Sequence, residues 1–337
     1  MWARCSGRLG AFHITIVVKR TGFRSAAFVA ECHKPCTAAT CLLPRSLDAI
    51  EGLSMALYKY LSEERITIFE DGLIRFTQPR AFNDPFEFRP HLEKVADDEY
   101  IEKTLEEMFE GLVKERYASL SPEERSRISE YEFCGYWITN KHVVLGEIRS
   151  HVKEFRPIAE NSMYEGIEEN IGVLSLTECP ENLLMWAHYS NSHQGFVVEF
   201  DDASPYFSRR LSDNDELRHL RKVCYEVDRP KITLTNLEGF DVFLVKGDSW
   251  KYEKEWRMLL PLNEADLIVD SNPYNIHLFK MPYESIKSVY IGCRATDRTK
   301  KELLSSIVNN ENLKHIKVFQ TSVSSNEFNL EFEQVCI

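Results

Sequence analysis

Residues 249–258, SWKYEKEWRM, hold the chain's densest set of groups able to act on a small molecule. On a strand Glu253, Glu255 and Arg257 share one face, while Lys254, Trp256 and Met258 share the other. Two carboxylates beside an arginine can hold a sugar hydroxyl and stabilise developing positive charge. Cleavage of a glycosidic bond needs both, because its transition state resembles an oxocarbenium ion. The same pattern fits a surface strand whose Glu and Arg pair across rungs for roughly 0.2–1 kcal/mol.

A second stretch, residues 171–201, places Met185, Trp186, His188, Tyr189 and His193 close together. At helical spacing Tyr189 meets Met185 and Trp186 on one face. Trp186, His188 and Tyr189 then form either a stacking shelf for a planar ring or part of the core. Asn83-Asp84-Pro85 is a turn signal, since Asp84 before proline prefers extended backbone and Asn and Asp bond their own turn. It serves as a rigid corner, or it turns Asn83 and Glu87 toward a ligand. His188 and His193 do not have the spacing of a metal site, and no HExxH is present. The chain also lacks a GxGxxG or Walker loop and a Ser or Cys in a nucleophile motif.

The elements that must carry these residues read as follows. Residues 57–62 and 73–79 are strands separated by a short helix that ends at Gly72. Residues 93–170 are helical, with Ile101, Leu105, Met108 and Leu112 as one apolar stripe. Ser121-Pro122-Glu123-Glu124 is a capping box, and Pro157 separates two further helices. Residues 173–176 form a buried strand and residues 182–190 a helix. Gly195 then frees the backbone to turn into FVVEF, where Phe196, Val198 and Phe200 alternate with Val197 and Glu199. Strands follow over residues 222–227, 242–246 and 255–261, and the C-terminus reads strand, helix, strand. Mixed strands around one helical insertion give an α+β fold with a mixed or split sheet, over a single domain spanning residues 55–337.

The chain's 337 residues carry a formal net charge of −12, which excludes a broad nucleic-acid surface and disfavours a nucleic-acid-processing enzyme. No apolar run is long enough for a membrane-spanning helix. Residues 1–54 differ from the rest, with a net charge of +4 and four of the nine cysteines. This leader fits an Arg-rich targeting peptide, a small metal module around His33, Cys36 and Cys41, or sequence translated upstream of a start at Met55. The regular pattern beginning MALYKYL favours the third and sets residues 1–54 outside the fold. The other five cysteines are scattered singly, as in a reducing, cytoplasmic protein.

The segments LYKYLS, FNDPFE, LLMWAHYSNSHQGF and KYEKEWR, in this order, resemble a mainly prokaryotic family known as domain of unknown function 2971. The resemblance covers residues 57–319. More distantly, the layout is similar to the ADP-ribosyltransferase superfamily, which has a His or Arg on its first strand, an aromatic residue after a second strand and a Glu-x-Glu on a late strand. Those positions fall on Lys59, Tyr189 and Glu253–Glu255, with lysine replacing the expected His or Arg. The resemblance implies an ADP-ribosyltransferase-like fold and NAD as substrate. Tyr189 would stack on nicotinamide, and Glu255 would bind a ribose hydroxyl and stabilise the cation. The implied activity is an NAD-consuming transferase or glycohydrolase acting in phage defence or as a toxin. The alternative is a non-catalytic ligand-sensing or partner-binding module of the same fold, which the lysine substitution would suit.

Overall fold

The computed structural model describes residues 56–237 and 239–336, together with the backbone of two strands, Trp2–Leu9 and Phe12–Lys19, which pair antiparallel. The expectation that residues 1–54 stand outside the fold falls otherwise on residues beyond those described. The chain divides into two compact units. One takes in Arg89–Gly166 and Pro230–Gly239 and is mainly helical. The other, residues 56–88, 167–229 and 240–336, is built on sheet and holds the candidate chemistry.

In the helical unit, Asp98–Ala118 is capped by the Asp97 carboxylate, which accepts the Tyr100 N–H. Its buried stripe is Ile101, Leu105, Phe109 and Val113, a strict four-residue step. Met108, expected in that stripe, is exposed. The Ser121 and Ser129 capping boxes start the next two helices. Pro157 was expected to separate two helices, but Lys141–Asn170 runs through it. A proline inside a helix removes one amide donor and crowds the preceding turn, and here the flanking turns continue regardless.

The other unit centres on a sheet of eight strands. Their order is Leu330–Val335, Lys317–Val323, Ile286–Ile291, Phe196–Asp201, Ala56–Leu61, Ile171–Thr177, Glu255–Pro261 and Arg221–Lys222. All neighbours are antiparallel except Ile286–Ile291 and Lys317–Val323. That parallel pair needs a crossover, which helix Asp297–Val308 supplies. A three-stranded sheet of Leu267–Val269, Ile276–Lys280 and Leu73–Phe76 meets the main sheet through the antiparallel bridge Thr77–Val173. The mixed α+β expectation therefore holds.

The period-two alternation read in FVVEF is what divides the two faces. Leu57, Val198, Phe200, Leu174, Leu176, Met258 and Leu260 point into the larger core, joined by Phe69, Leu303 and Ile307. Tyr60 and Val197 point the other way and pack on Met185 and Trp186. Gly195 allows the turn between them, because a Cβ there would lie 2.0 Å from the Leu61 carbonyl oxygen. Two expected strands are shorter than their sequence pattern: residues 222–227 break into Arg221–Lys222 and Cys224–Glu226, and in 242–246 Asp241–Leu244 is a 3-10 turn with only Val245–Gly247 extended. Asp248–Glu253 is a second 3-10 turn, and Glu255–Pro261 has the expected bounds.

Candidate functional site

Glu253 thus precedes the strand on which it was expected. Lys254 adopts a left-handed conformation, φ 42°, between the turn and the strand. That kink still brings both carboxylates to one place. Lys246, on Val245–Gly247, donates from Nζ to Glu253 Oε2 at 2.5 Å and to Glu255 Oε2 at 3.0 Å. Arg257 grips the same Glu255 carboxylate, from Nε to Oε1 at 2.8 Å and from Nη2 to Oε2 at 3.0 Å. It also pairs with Glu87 and donates to the Phe243 carbonyl at 3.0 Å.

Glu87 reaches this cluster because of the Asn83-Asp84-Pro85 turn. The Asp84 carboxylate accepts the Phe86 N–H at 2.9 Å, and Phe88 takes a left-handed φ of 59°. The chain therefore folds back with Glu87 inward, 6 % exposed. Phe88 lies under the Arg257 guanidinium, whose carbon is 5.1 Å from the ring centroid. Asn83 donates to the Tyr189 hydroxyl at 3.3 Å, and that hydroxyl donates to Glu253 Oε1 at 2.6 Å. Of the expected residues, Asn83, Glu87, Tyr189, Glu253, Glu255 and Arg257 form one hydrogen-bonded chain.

Three others do not join it directly. Trp186 is 0 % exposed, edge-on to Tyr60 at 5.4 Å, and its indole N–H donates to the Pro180 carbonyl at 2.7 Å. It is core, so no shelf of Trp186, His188 and Tyr189 forms. His188 is on the exposed side of the short helix Leu183–Tyr189. Lys59 lies between Tyr58 and Tyr60, and Tyr58 is paired with Thr177, the residue opposite Glu255. Paired residues share a face, so Lys59 starts on the face opposite to Glu255. Its ammonium reaches the Ser175 carbonyl at 3.1 Å.

Lys246 and Tyr225 were not foreseen. Tyr225 is level with Lys246 on a paired parallel strand, and its hydroxyl accepts the Glu255 N–H at 2.7 Å. A lysine inside the apolar run Val242–Lys246 was the one available signal. Thr177 anchors the turn from below, donating to the Glu253 carbonyl at 2.5 Å.

The electrostatics follow from burial. Three carboxylates face two cations, with side chains at most 5 % exposed. Burial pushes the Glu255 carboxyl above its ordinary value. Lys246 and the Ser175 hydroxyl pull it back, while Glu253 adds to the rise. Burial also works against the Lys246 ammonium, but Glu255 and Glu253 outweigh it and hold its pKa above the usual lysine value. Arg257 is brought down to about 9 by burial, with Asp84 opposing, and stays charged at neutral pH. Burial and the adjacent Glu253 raise the Tyr189 phenol, so it remains a donor. Burial lowers Lys59 to about 8, against the pull of Glu255, with Arg75 and Arg65 lowering it further.

Both Glu255 oxygens and both Glu253 oxygens are thus already occupied by charged or phenolic donors. Removing one partner from such a buried set costs about 3–5 kcal/mol, because a bare charge is left behind. Among the described residues no three His, Cys, Asp or Glu are gathered as a metal site, and no helix is long and apolar enough to cross a membrane.

Residues 185–258 match the family described as Protein of unknown function (DUF2971). Over this segment the chain is similar to that family, as the motif order indicated. The match spans Tyr189, Tyr225, Lys246, Glu253, Glu255 and Arg257. No curated protein and no solved structure matches the chain.

Proposed function

We propose that this chain is a non-catalytic ligand-binding module, in which the buried carboxylates form a fixed wall rather than a reacting centre. One observation carries this reading: both oxygens of Glu255 are held by Arg257 and Lys246 inside the protein. A carboxylate that stabilises an oxocarbenium ion must present an oxygen to the sugar. Here a sugar hydroxyl would have to displace a charge-assisted bond in a dry site, where such bonds are strongest.

The second reading is an NAD-cleaving enzyme with an ADP-ribosyltransferase-like fold. It is favoured by the convergence of Tyr189 with Glu253 and Glu255, the aromatic residue and Glu-x-Glu of that resemblance. Lys59 weighs against it, since it stands where that resemblance has a His or Arg and starts on the sheet face opposite Glu255.

Nicotinamide release from NAD by the purified protein separates the two. The binding-module reading expects no release above the uncatalysed rate, and Glu255→Gln lowers the melting temperature without changing that baseline. Release by the parent protein that Glu255→Gln abolishes would replace this reading with the enzyme.

A further inference from the structure

We infer that the fork between the Lys59 and Arg75 strands binds the phosphoryl group of a small ligand, through Lys59, Arg65 and Arg75. This deepens the ligand-binding reading above by giving the ligand a place and a chemistry.

The strand Ile171–Thr177 has one edge covered by Glu255–Pro261 along its whole length. Its other edge is shared. Ala56–Leu61 pairs with it only at Tyr58–Thr177, and Thr77 bridges to it at Val173. Between these points, at Ser175, the two neighbours diverge and leave a fork. Ser175 is half-exposed there, and Lys59 fills part of the gap by donating to its carbonyl. The antiparallel bridge carries Arg75, two residues before Thr77, toward the level of Ser175. Arg65, in the 3-10 turn Glu63–Arg65 that follows the Lys59 strand, bears electrostatically on both.

Three cations are thus gathered in a half-buried place. Among the described residues none of them forms an ion pair, and Arg75 Nε is buried with no hydrogen-bond partner. The neighbouring acids do not ion-pair with these cations. Glu63 Oε1 accepts from Asn191, while its Oε2 is buried without a partner, and Asp71 Oδ1 accepts from the Leu73 N–H. Asp71 and Glu64 attract Arg65 without forming an ion pair with it, and Glu255 is held by its own partners. Like charges in a poorly hydrated fork repel, and an orphan guanidinium N–H loses its water. An anion with several acceptor oxygens relieves both. Phosphate and pyrophosphate suit the planar donor forks of two arginines better than a single carboxylate does.

Isothermal titration with inorganic pyrophosphate, inorganic phosphate and ADP-ribose tests this site and separates a free anion from a nucleotide. The expected result is saturable pyrophosphate binding that Arg75→Gln and Arg65→Gln each weaken about tenfold or more, the size of one charge-assisted bond. Arg298→Gln, at an exposed position of helix Asp297–Val308, leaves binding unchanged. Both fork arginines are half-exposed, so melting temperatures near the parent value verify that the variants fold. Absent pyrophosphate binding by the parent overturns the site, as does equal binding by folded Arg65 and Arg75 variants. NAD turnover with pyrophosphate binding intact would sink the non-catalytic reading and leave this site standing.

Discussion

Arg257 lies two residues along the strand from Glu255 and holds both of its carboxylate oxygens, at 2.8 and 3.0 Å. Residues at i and i+2 share a strand face, so this pairing is local, yet the same guanidinium also takes Glu87 from far earlier in the chain. One side chain thus ties the strand to the Asn83–Glu87 turn.

Arg257→Met therefore leaves Glu255 and Glu87 buried with Lys246 as their one cation. The expected loss is about 3–5 kcal/mol in urea unfolding. Glu255→Leu combined with Arg257→Met loses less than the sum of the two single changes, by roughly 0.5–3 kcal/mol. Strict additivity would mean that the two side chains do not interact.

Tyr189→Phe removes the bond to Glu253 and the longer, exposed bond that the Tyr189 hydroxyl accepts from Asn83. A hydrogen bond to a charged group is worth about 1.5–3 kcal/mol, and a loss of that order is expected at neutral pH. Asn83→Ala removes a longer bond at an exposed atom and costs much less. If the two variants were equally stable, Tyr189 would not be clamping the Glu253 turn.

Lys59 gives a pH signature. Its pKa in the folded protein is about 8, below the unfolded value of 10.5. Between these limits the unfolded chain binds more protons, so this group's contribution to stability rises with pH across that window. Glu255 pulls the value up, while burial, Arg75 and Arg65 pull it down. Lys59→Met should unfold at higher denaturant than the parent at pH 7, with the difference shrinking toward pH 10. A pH-independent difference would show that the ammonium is not strained by burial.

Gly195→Ala tests the turn between the aromatic helix and its strand. The added methyl would sit 2.0 Å from the Leu61 carbonyl, against backbone that cannot rotate away. The expected loss is at least the roughly 1–3 kcal/mol of an overpacked core, measured by thermal melting. A loss of only a few tenths would mean that the two backbones are not in close approach.

Much of the frame was legible because it depends on short-range periodicity. Phe196, Val198 and Phe200 alternate with Val197 and Glu199, and the sheet faces follow from that alone. The Ser121 capping box was equally plain, since both of its partners lie within four residues. Trp186 was ambiguous for a physical reason. A tryptophan at that helix position is shelf or core according to which sheet face the helix covers, and Tyr60 and Val197 decide it. Pro157 misled because its cost to one turn is smaller than what two intact flanks supply. Glu253 was placed on the strand because its spacing from Glu255 fits one, and the left-handed Lys254 has no sequence marker such as glycine. Lys246 was missed because its meaning lies in three acids at separations of 7, 9 and 159 residues.

The most direct measurement is a crystal structure of the protein with ADP-ribose. The account predicts that Arg257 keeps its two bonds to Glu255 and that the ligand's phosphates rest on Arg65 and Arg75. A ribose hydroxyl bonded to Glu255, with Arg257 turned away, would contradict it.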